Sequence, residues 1–283
     1  MENYKFLIIG SNGLLGSNIV KILKKKNYTY ATCARSNSNF NIDLKNFNSV
    51  KKIFNNNNFE IVINCAAKVD INFCEKYYPK AKKINSDFLK LLAQLSKKKN
   101  FKLTQISTDH VYKGQKLKLN SENAKLFAIN KYAKTKILAE RHLKKLKKYL
   151  IIRTNFTGKG KNSFFDWLYK NIKKGKKINL FYDMYTSSLN VKKCAELIIK
   201  LTLINSKGIY NLGTKNMLTK KEYAENLSKI MQKKLLFTPS SVDILKVPRG
   251  KNLGLDVRKI EKKLNLNMIS ANKAIANCLK EYL

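Results

Sequence analysis

The chain has 283 residues, 44% of them hydrophobic, enough for one large domain or a domain with a small lobe, and this excludes fibrous, collagenous and fully disordered classes. Its 58 Lys plus Arg against 18 Asp plus Glu give a formal charge of +40, yet only five of the 58 are arginine (Arg35, Arg141, Arg153, Arg249, Arg258); lysines spread over every segment, beside Asn55 to Asn58, read as a biased composition rather than an arginine-and-aromatic nucleic-acid groove. No apolar run approaches the roughly 20 residues of a membrane span, the start MENYKFLIIG lacks signal-peptide features, and five dispersed cysteines with two histidines offer neither a disulfide framework nor a metal set, so a cytoplasmic protein with no metal, no membrane and no specific nucleic acid is expected.

In chain order, an apolar run of strand length, Lys5 to Ile9, leads at once into Gly10-Ser11-Asn12-Gly13-Leu14-Leu15-Gly16 and a helix-period stretch, Leu14 to Lys25. Three of only 11 glycines fall within those seven residues. Glycine there lets the turn be tight, the backbone approach a pyrophosphate and the helix pack on the strand, with helix N–H groups facing the phosphates. The segment therefore points to dinucleotide binding over a merely structural turn. The second strand, from Tyr28, ends in Arg35, and no acidic residue lies between Glu2 and Asp43. A carboxylate at that strand end would chelate the ribose 2′-OH of NAD, whereas a guanidinium fork receives the 2′-phosphate of NADP, so NADP(H) is expected over NAD(H). The plain alternative for Arg35 is a solvated side chain opening a loop. Asp43, in Ile42-Asp43-Leu44, could accept from the adenine amino group.

Further strand-length runs (Glu60 to Cys65, Leu103 to Ser107, Tyr149 to Arg153) alternate with helical stretches (Lys80 to Lys97, Tyr132 to Leu146). This alternation predicts an α/β fold, a Rossmann-type doubly wound parallel sheet over residues 1–155. Later pieces are shorter: helical Phe164 to Lys173, Lys192 to Leu203, Lys220 to Gln232 and Ser270 to Tyr282, with a strand at Gly208 to Leu212. They predict a smaller mixed α/β substrate lobe over 156–283, some of whose segments return to the sheet.

Catalytic candidates follow the Leu103 strand: Ser107, Thr108 and Asp109, and then Tyr132-Ala133-Lys134-Thr135-Lys136. At i and i+4 on one helix face, the Lys136 ammonium can stabilise the Tyr132 phenolate and bring that phenol toward a useful proton affinity. In so lysine-rich a chain spacing alone decides nothing, because Tyr78 with Lys82, Tyr112 with Lys116 and Tyr169 with Lys173 match as well. Tyr78 precedes a proline, Tyr112 is expected in a loop two residues before Gly114, and Tyr169 comes too late for the cofactor sheet. Only Tyr132 opens a helix after a strand that ends in hydroxyls.

Taken together, GSNGLLGS, Asn64-Cys65-Ala66-Ala67, the segment from Val69 to Glu75 leading to Asn85, STDHVY at Ser107 to Tyr112, and Tyr132 with Lys136 resemble the extended short-chain dehydrogenases/reductases. Within them the chain is most similar to the dTDP-4-dehydrorhamnose reductase family, whose STDYVF is close to STDHVY, and the likeness runs on through Arg153-Thr154-Asn155 and Gly208-Ile209-Tyr210-Asn211 to Val247-Pro248-Arg249. The resemblance implies an NADPH-dependent reductase of a nucleotide-activated 4-keto sugar, in deoxysugar or surface polysaccharide biosynthesis, with a homodimer as one assembly. Thr108, Tyr132 and Lys136 would be catalytic. Gly10, Asn12, Gly13, Leu14, Leu15, Gly16, Arg35, Asp43, Leu44, Cys65, Ala66, Ala67, Asn85 and Ser107 would join Tyr132 and Lys136 around the cofactor. Val69, Asp70, Thr108, Asp109, His110, Asn155 and Arg249 would face the nucleotide sugar. The sequence departs from the family where His110 replaces a tyrosine, Ala133 replaces a glycine, and prolines are missing between Lys118 and Lys131. Two other readings stay open: a non-catalytic NADP-binding regulatory subunit, which the complete Thr108, Tyr132, Lys136 set argues against, and a nucleotide-sugar epimerase or dehydratase, against which stands His110 where a dehydratase would carry glutamate.

Arg35→Ala should lower kcat/KM for NADPH and leave that for NADH nearly unchanged, measured as the ratio of the two in parallel assays.

Overall fold

Phe6 to Ile9 of strand β1 (Glu2–Ile9) are buried without exception, a run with no polar face, and such a strand belongs in the middle of a sheet covered on both sides. The computed structural model, which describes residues 2–114, 117–160 and 163–283, places it there. After β1 come α1 (Leu14–Lys25), β2 (Tyr30–Ala34), β3 (Phe40–Asn41), α2 (Phe47–Asn56), β4 (Asn57–Asn64), α3 (Ile71–Lys76), α4 (Tyr78–Lys82), a π-helical turn at Lys83–Asp87, α5 (Phe88–Lys99), β5 (Lys102–Ile106), α6 (Lys131–Leu143) and β6 (Tyr149–Thr154). Then follow β7 (Phe156–Thr157), α7 (Phe164–Lys173), β8 (Ile178–Phe181), β9 (Tyr185–Thr186), β10 (Leu189–Asn190), α8 (Val191–Leu203), β11 (Gly208–Leu212), β12 (Leu218–Thr219), α9 (Lys220–Met231), β13 (Phe237–Ser240), β14 (Asn252–Leu253), α10 (Arg258–Leu264) and α11 (Ala271–Leu279).

The main sheet has seven strands in the order β11-β6-β5-β4-β1-β2-β3. Its registers from β6 to β3 are all parallel, with Phe6 opposite both Ile61 of β4 and Tyr30 of β2. The expected α/β doubly wound fold is thus the observed one. Helix α1 buries Leu15, Ile19 and Leu23, spaced by four on one face, and α2 and α5 enclose Val50, Ile53, Phe54, Leu92 and Phe101, where Phe54 stacks on Phe101 at 5.2 Å between centroids.

Three helices, α2, α3 and α10, had no counterpart in the sequence reading. In α2 the apolar triplet Val50, Ile53, Phe54 is short and runs into four asparagines; Asn55 and Asn56 close the helix, Asn57 turns straight into β4, and its side-chain amide donates to the Ile53 carbonyl at 2.9 Å. The six-residue α3 is begun by Asp70, whose carboxylate accepts from the Phe73 amide at 3.0 Å. The single helix expected from Lys80 to Lys97 is broken by the π turn, which widens the helix around Asn85.

The chain divides into two compact units. The first comprises Met1–Thr108, Asn130–Arg153 and Ala195–Ile209; the second comprises Asp109–Ile129, Thr154–Cys194 and Tyr210–Leu283. The second has its own core, in which Phe165, Leu168 and Ile172 of α7 meet Ile178 and Leu180 of β8, Tyr223 and Leu227 of α9, and Ile275 and Cys278 of α11. Among the described residues no helix is long and apolar enough to cross a membrane.

Tyr112 lies in the connection between β5 and α6, outside the named helices and strands. It is fully buried, bridges Leu126, and donates its hydroxyl to the Asn211 side-chain carbonyl at 2.7 Å; Lys116, its partner in the spacing argument, lies outside the described residues. Tyr112→Phe leaves that buried acceptor one donor short, so it should lower unfolding free energy by about 1–3 kcal/mol in urea denaturation.

Candidate active site

The phosphate turn is fixed by close approach. Gly10 has φ +79°, its N–H donates to the Cys33 carbonyl at 2.8 Å, and a Cβ on it would stand 2.7 Å from the Ala66 nitrogen. A Cβ on Gly16 would come within 2.3 Å of the Gly10 carbonyl oxygen. Side chains at these two positions would fill the cradle between β1, α1 and the end of β4, which is the space a pyrophosphate needs. Gly13 is the N-cap of α1 and supplies no side chain, and the first turn has no acidic residue, so the N–H groups of Leu14, Leu15 and Gly16, ahead of the Ser17 N–H that donates to the Gly13 carbonyl, face the space an anion would take. The Asn12 amide donates to the Ser36 carbonyl at 2.6 Å, tying the turn to the exposed segment after β2 that begins with Arg35. Asp43 precedes Leu44 in the stretch between β3 and α2. Its carboxylate accepts from the Lys45 amide at 2.9 Å; burial opposes its charge, but the Lys45 amide, the Lys45 ammonium and Arg35 together hold it below the ordinary aspartate value.

Cys65, Ala66 and Ala67 follow β4, where the Asn64 carbonyl oxygen accepts from Ala66 N–H and its amide donates to Gln105 at 2.7 Å. From the π turn, Asn85 brackets the Lys68 peptide, accepting from its N–H at 2.7 Å and donating to its carbonyl at 2.9 Å, and also donates to the Thr135 hydroxyl on α6 at 3.0 Å. Val69 is largely exposed, and the Asp70 carboxylate is engaged in capping α3.

Helix α6 begins at the N-cap Asn130, which accepts from Ala133 N–H, while Glu75 accepts from Lys131 N–H at 2.9 Å. Tyr132 packs on Cys74 and Ala81. One turn on, Lys136 is 2% exposed and its ammonium donates to the Ile106 carbonyl at the end of β5, 2.7 Å away. Burial lowers its pKa to about 8 against the opposing pull of Glu140. Thr108, buried as well, lies two residues beyond that carbonyl. The first unit thus brings the three expected catalytic residues to the end of β5 and the face of α6 that covers it.

Sequence reasoning missed what anchors them. Glu140, one further turn along α6, accepts from the Ser107 hydroxyl at 2.6 Å and from Arg153 of β6, at 3.0 Å from Nε and 2.6 Å from Nη2, with both charged side chains 1% exposed. The scarcity of arginine was the available signal, since a buried bidentate pair is a place where lysine cannot substitute.

In the second unit the Asp109 carboxylate accepts from Asn155 at 2.8 Å, and Asn155 accepts from Ser188 at 2.8 Å. His110 is held below its ordinary pKa by burial and by the charges of Arg249 and Lys220, against the influence of Asp109. The half-buried Arg249 donates to the Val247 carbonyl.

The family described as RmlD substrate binding domain matches residues 4–283. The chain belongs to this family. The assignment agrees with the resemblance carried by the motifs. A solved structure of dTDP-4-dehydrorhamnose reductase from Bacillus anthracis, in complex with NADP, superposes with a TM-score of 0.90 at 25% identity over 99% of this chain and 100% of that one. The spore coat polysaccharide biosynthesis protein SpsK of Bacillus subtilis is 28% identical over 78% of this chain and 77% of its own. The Haloferax volcanii protein called "Probable low-salt glycan biosynthesis reductase Agl14" is 23% identical over 91% of each.

Glu140→Ala leaves the Arg153 guanidinium buried without its carboxylate, so unfolding free energy should fall by about 3–5 kcal/mol in denaturant titration, and Arg153→Met placed in the same chain should recover part of the loss.

Proposed function

We propose that this chain is an NADPH-dependent reductase of a nucleotide-activated 4-keto sugar, a family member of the dTDP-4-dehydrorhamnose reductase kind serving deoxysugar or surface polysaccharide synthesis. The observation that carries the reading is the buried set of Thr108, Tyr132 and Lys136 at the end of β5 and on α6, in the same unit as the Gly10 to Gly16 cradle. The B. anthracis relative with NADP supports the cofactor, and Arg35, beside the turn that Asn12 ties down, supports the 2′-phosphate preference. The first unit is assigned the cofactor and the chemical step. The second is assigned the nucleotide sugar through Asp109, His110, Asn155 and Arg249.

Bound NADPH would supply the hydride for the sugar carbonyl carbon. Tyr132 then donates its phenolic proton to the carbonyl oxygen, so that negative charge does not build up there. Thr108 holds the same oxygen with its hydroxyl. Lys136, drawn toward the strand by the Ile106 carbonyl, keeps a positive charge one helical turn from the phenol and stabilises its deprotonated form after transfer. Asn85 keeps α6 in register with the Lys68 peptide by way of Thr135.

Tyr132→Phe removes the proton donor and keeps the ring that packs on Cys74 and Ala81. With a panel of nucleotide 4-keto sugars, kcat should fall at least about 100-fold while NADPH binding stays close to wild type. Near-normal turnover in this variant, or tight NADPH binding by the wild type with no oxidation by any 4-keto sugar, would leave the regulatory-subunit reading in its place.

A further inference from the structure

Lys220 is the first residue of α9, where the helix dipole disfavours a cation, and its half-buried side chain lies across the Phe164 ring with Nζ 4.3 Å from the centroid. Its hydrogen-bond partner is the Thr186 hydroxyl at 3.4 Å, and among the described residues no carboxylate comes within ion-pair distance of it. The capping carboxylate of the same turn, Glu222, is taken up by the Thr219 amide and hydroxyl. The carboxylate that favours its charge is that of Asp109, which already accepts from Asn155. Desolvation lowers Lys220 to about 8, so the fold keeps a cation in a place that works against its charge.

Side-chain contacts connect this ammonium with the residues already assigned to the substrate. From Asp109 they run through Asn155 to Ser188, from Ser188 to Thr186 at 3.3 Å, and from Thr186 to Lys220. Lys220 and Arg249 both act on the buried His110, whose pKa is lowered by burial first and then by these two charges. The group therefore carries two cations against the single carboxylate of Asp109, an excess that suits an anion.

We propose that Lys220 is a specificity-determining contact for the diphosphate of the nucleotide sugar, acting with Arg249 in the second unit. This rests on the nucleotide-sugar reading above. A dianionic diphosphate would give Lys220 the charged acceptor it lacks, whereas a neutral sugar or base would leave its desolvation uncompensated.

The test is calorimetric titration of the full-length protein, saturated with NADPH, with dTDP and separately with thymidine. For Lys220→Met, dTDP affinity should fall at least about tenfold, the loss of a charge-assisted hydrogen bond, with thymidine affinity and melting temperature unchanged; Lys220→Arg should stay within a few-fold of wild type. In turnover the loss should appear in KM for the nucleotide sugar rather than in kcat. Unchanged dTDP binding in Lys220→Met, equal losses for dTDP and thymidine, or a wild type that binds dTDP no better than thymidine would each overturn the proposal. Failure of the reductase reading looks different: no 4-keto sugar consumes NADPH, although dTDP binding still depends on Lys220.

Discussion

The Glu140 carboxylate and the Arg153 guanidinium face each other with 1% of either side chain exposed. Burying two such charges costs several kcal/mol per ion, and the cost is offset only where the geometry is bidentate and the remaining acceptor sites are filled. Both conditions hold, because Arg153 donates from Nε and Nη2 and Ser107 donates a third hydrogen bond. Tyr132, Lys136 and Glu140 are spaced by four along α6, so they form one stripe. A helix held at Glu140 can neither rotate nor slide without unpairing a buried charge, and that restriction passes directly to the tyrosine and the lysine. Ser107 gives the same restraint to the end of β5, next to Thr108.

Close backbone approach is the second restraint. The exits of β1 and β4 touch because Gly10 has no side chain, and α1 starts where it does because Gly16 has none. The π turn serves the neighbouring helix in the same way: by displacing Asn85 from a regular helical path it lets one amide satisfy both ends of the Lys68 peptide and still reach Thr135. In this site, geometry is set largely by groups that hold backbone and helices in place, and the side chains proposed to react are few.

What could be read from the sequence follows from this division. Strands β1, β4, β5 and β6 were legible because each carries a short run rich in buried apolar residues, and α7 and β11 were located to the residue by hydrophobic period. Helix α2 escaped because its apolar triplet is brief and merges with asparagines that the composition bias made uninformative. The glycine turn and the Tyr132 to Lys136 spacing were visible as local patterns. The Ser107, Glu140, Arg153 network was not, since its members are far apart in sequence and meet only when β5, β6 and α6 pack. That the Asp70 carboxylate begins α3 was likewise invisible, because sequence order does not show which amide a carboxylate will cap. Lys220 stayed hidden among the many lysines, and only its burial and its neighbours separate it from them.

Label transfer tests the central claim most directly. NADPH carrying deuterium at both C4 positions of the nicotinamide is incubated with the protein and dTDP-4-dehydrorhamnose, and the sugar nucleotide is then analysed by mass spectrometry. The account predicts one deuterium on the sugar for each NADPH oxidised, bound to the carbon that was the carbonyl. Tight binding of the labelled cofactor with no deuterium in this or any other nucleotide 4-keto sugar would contradict it.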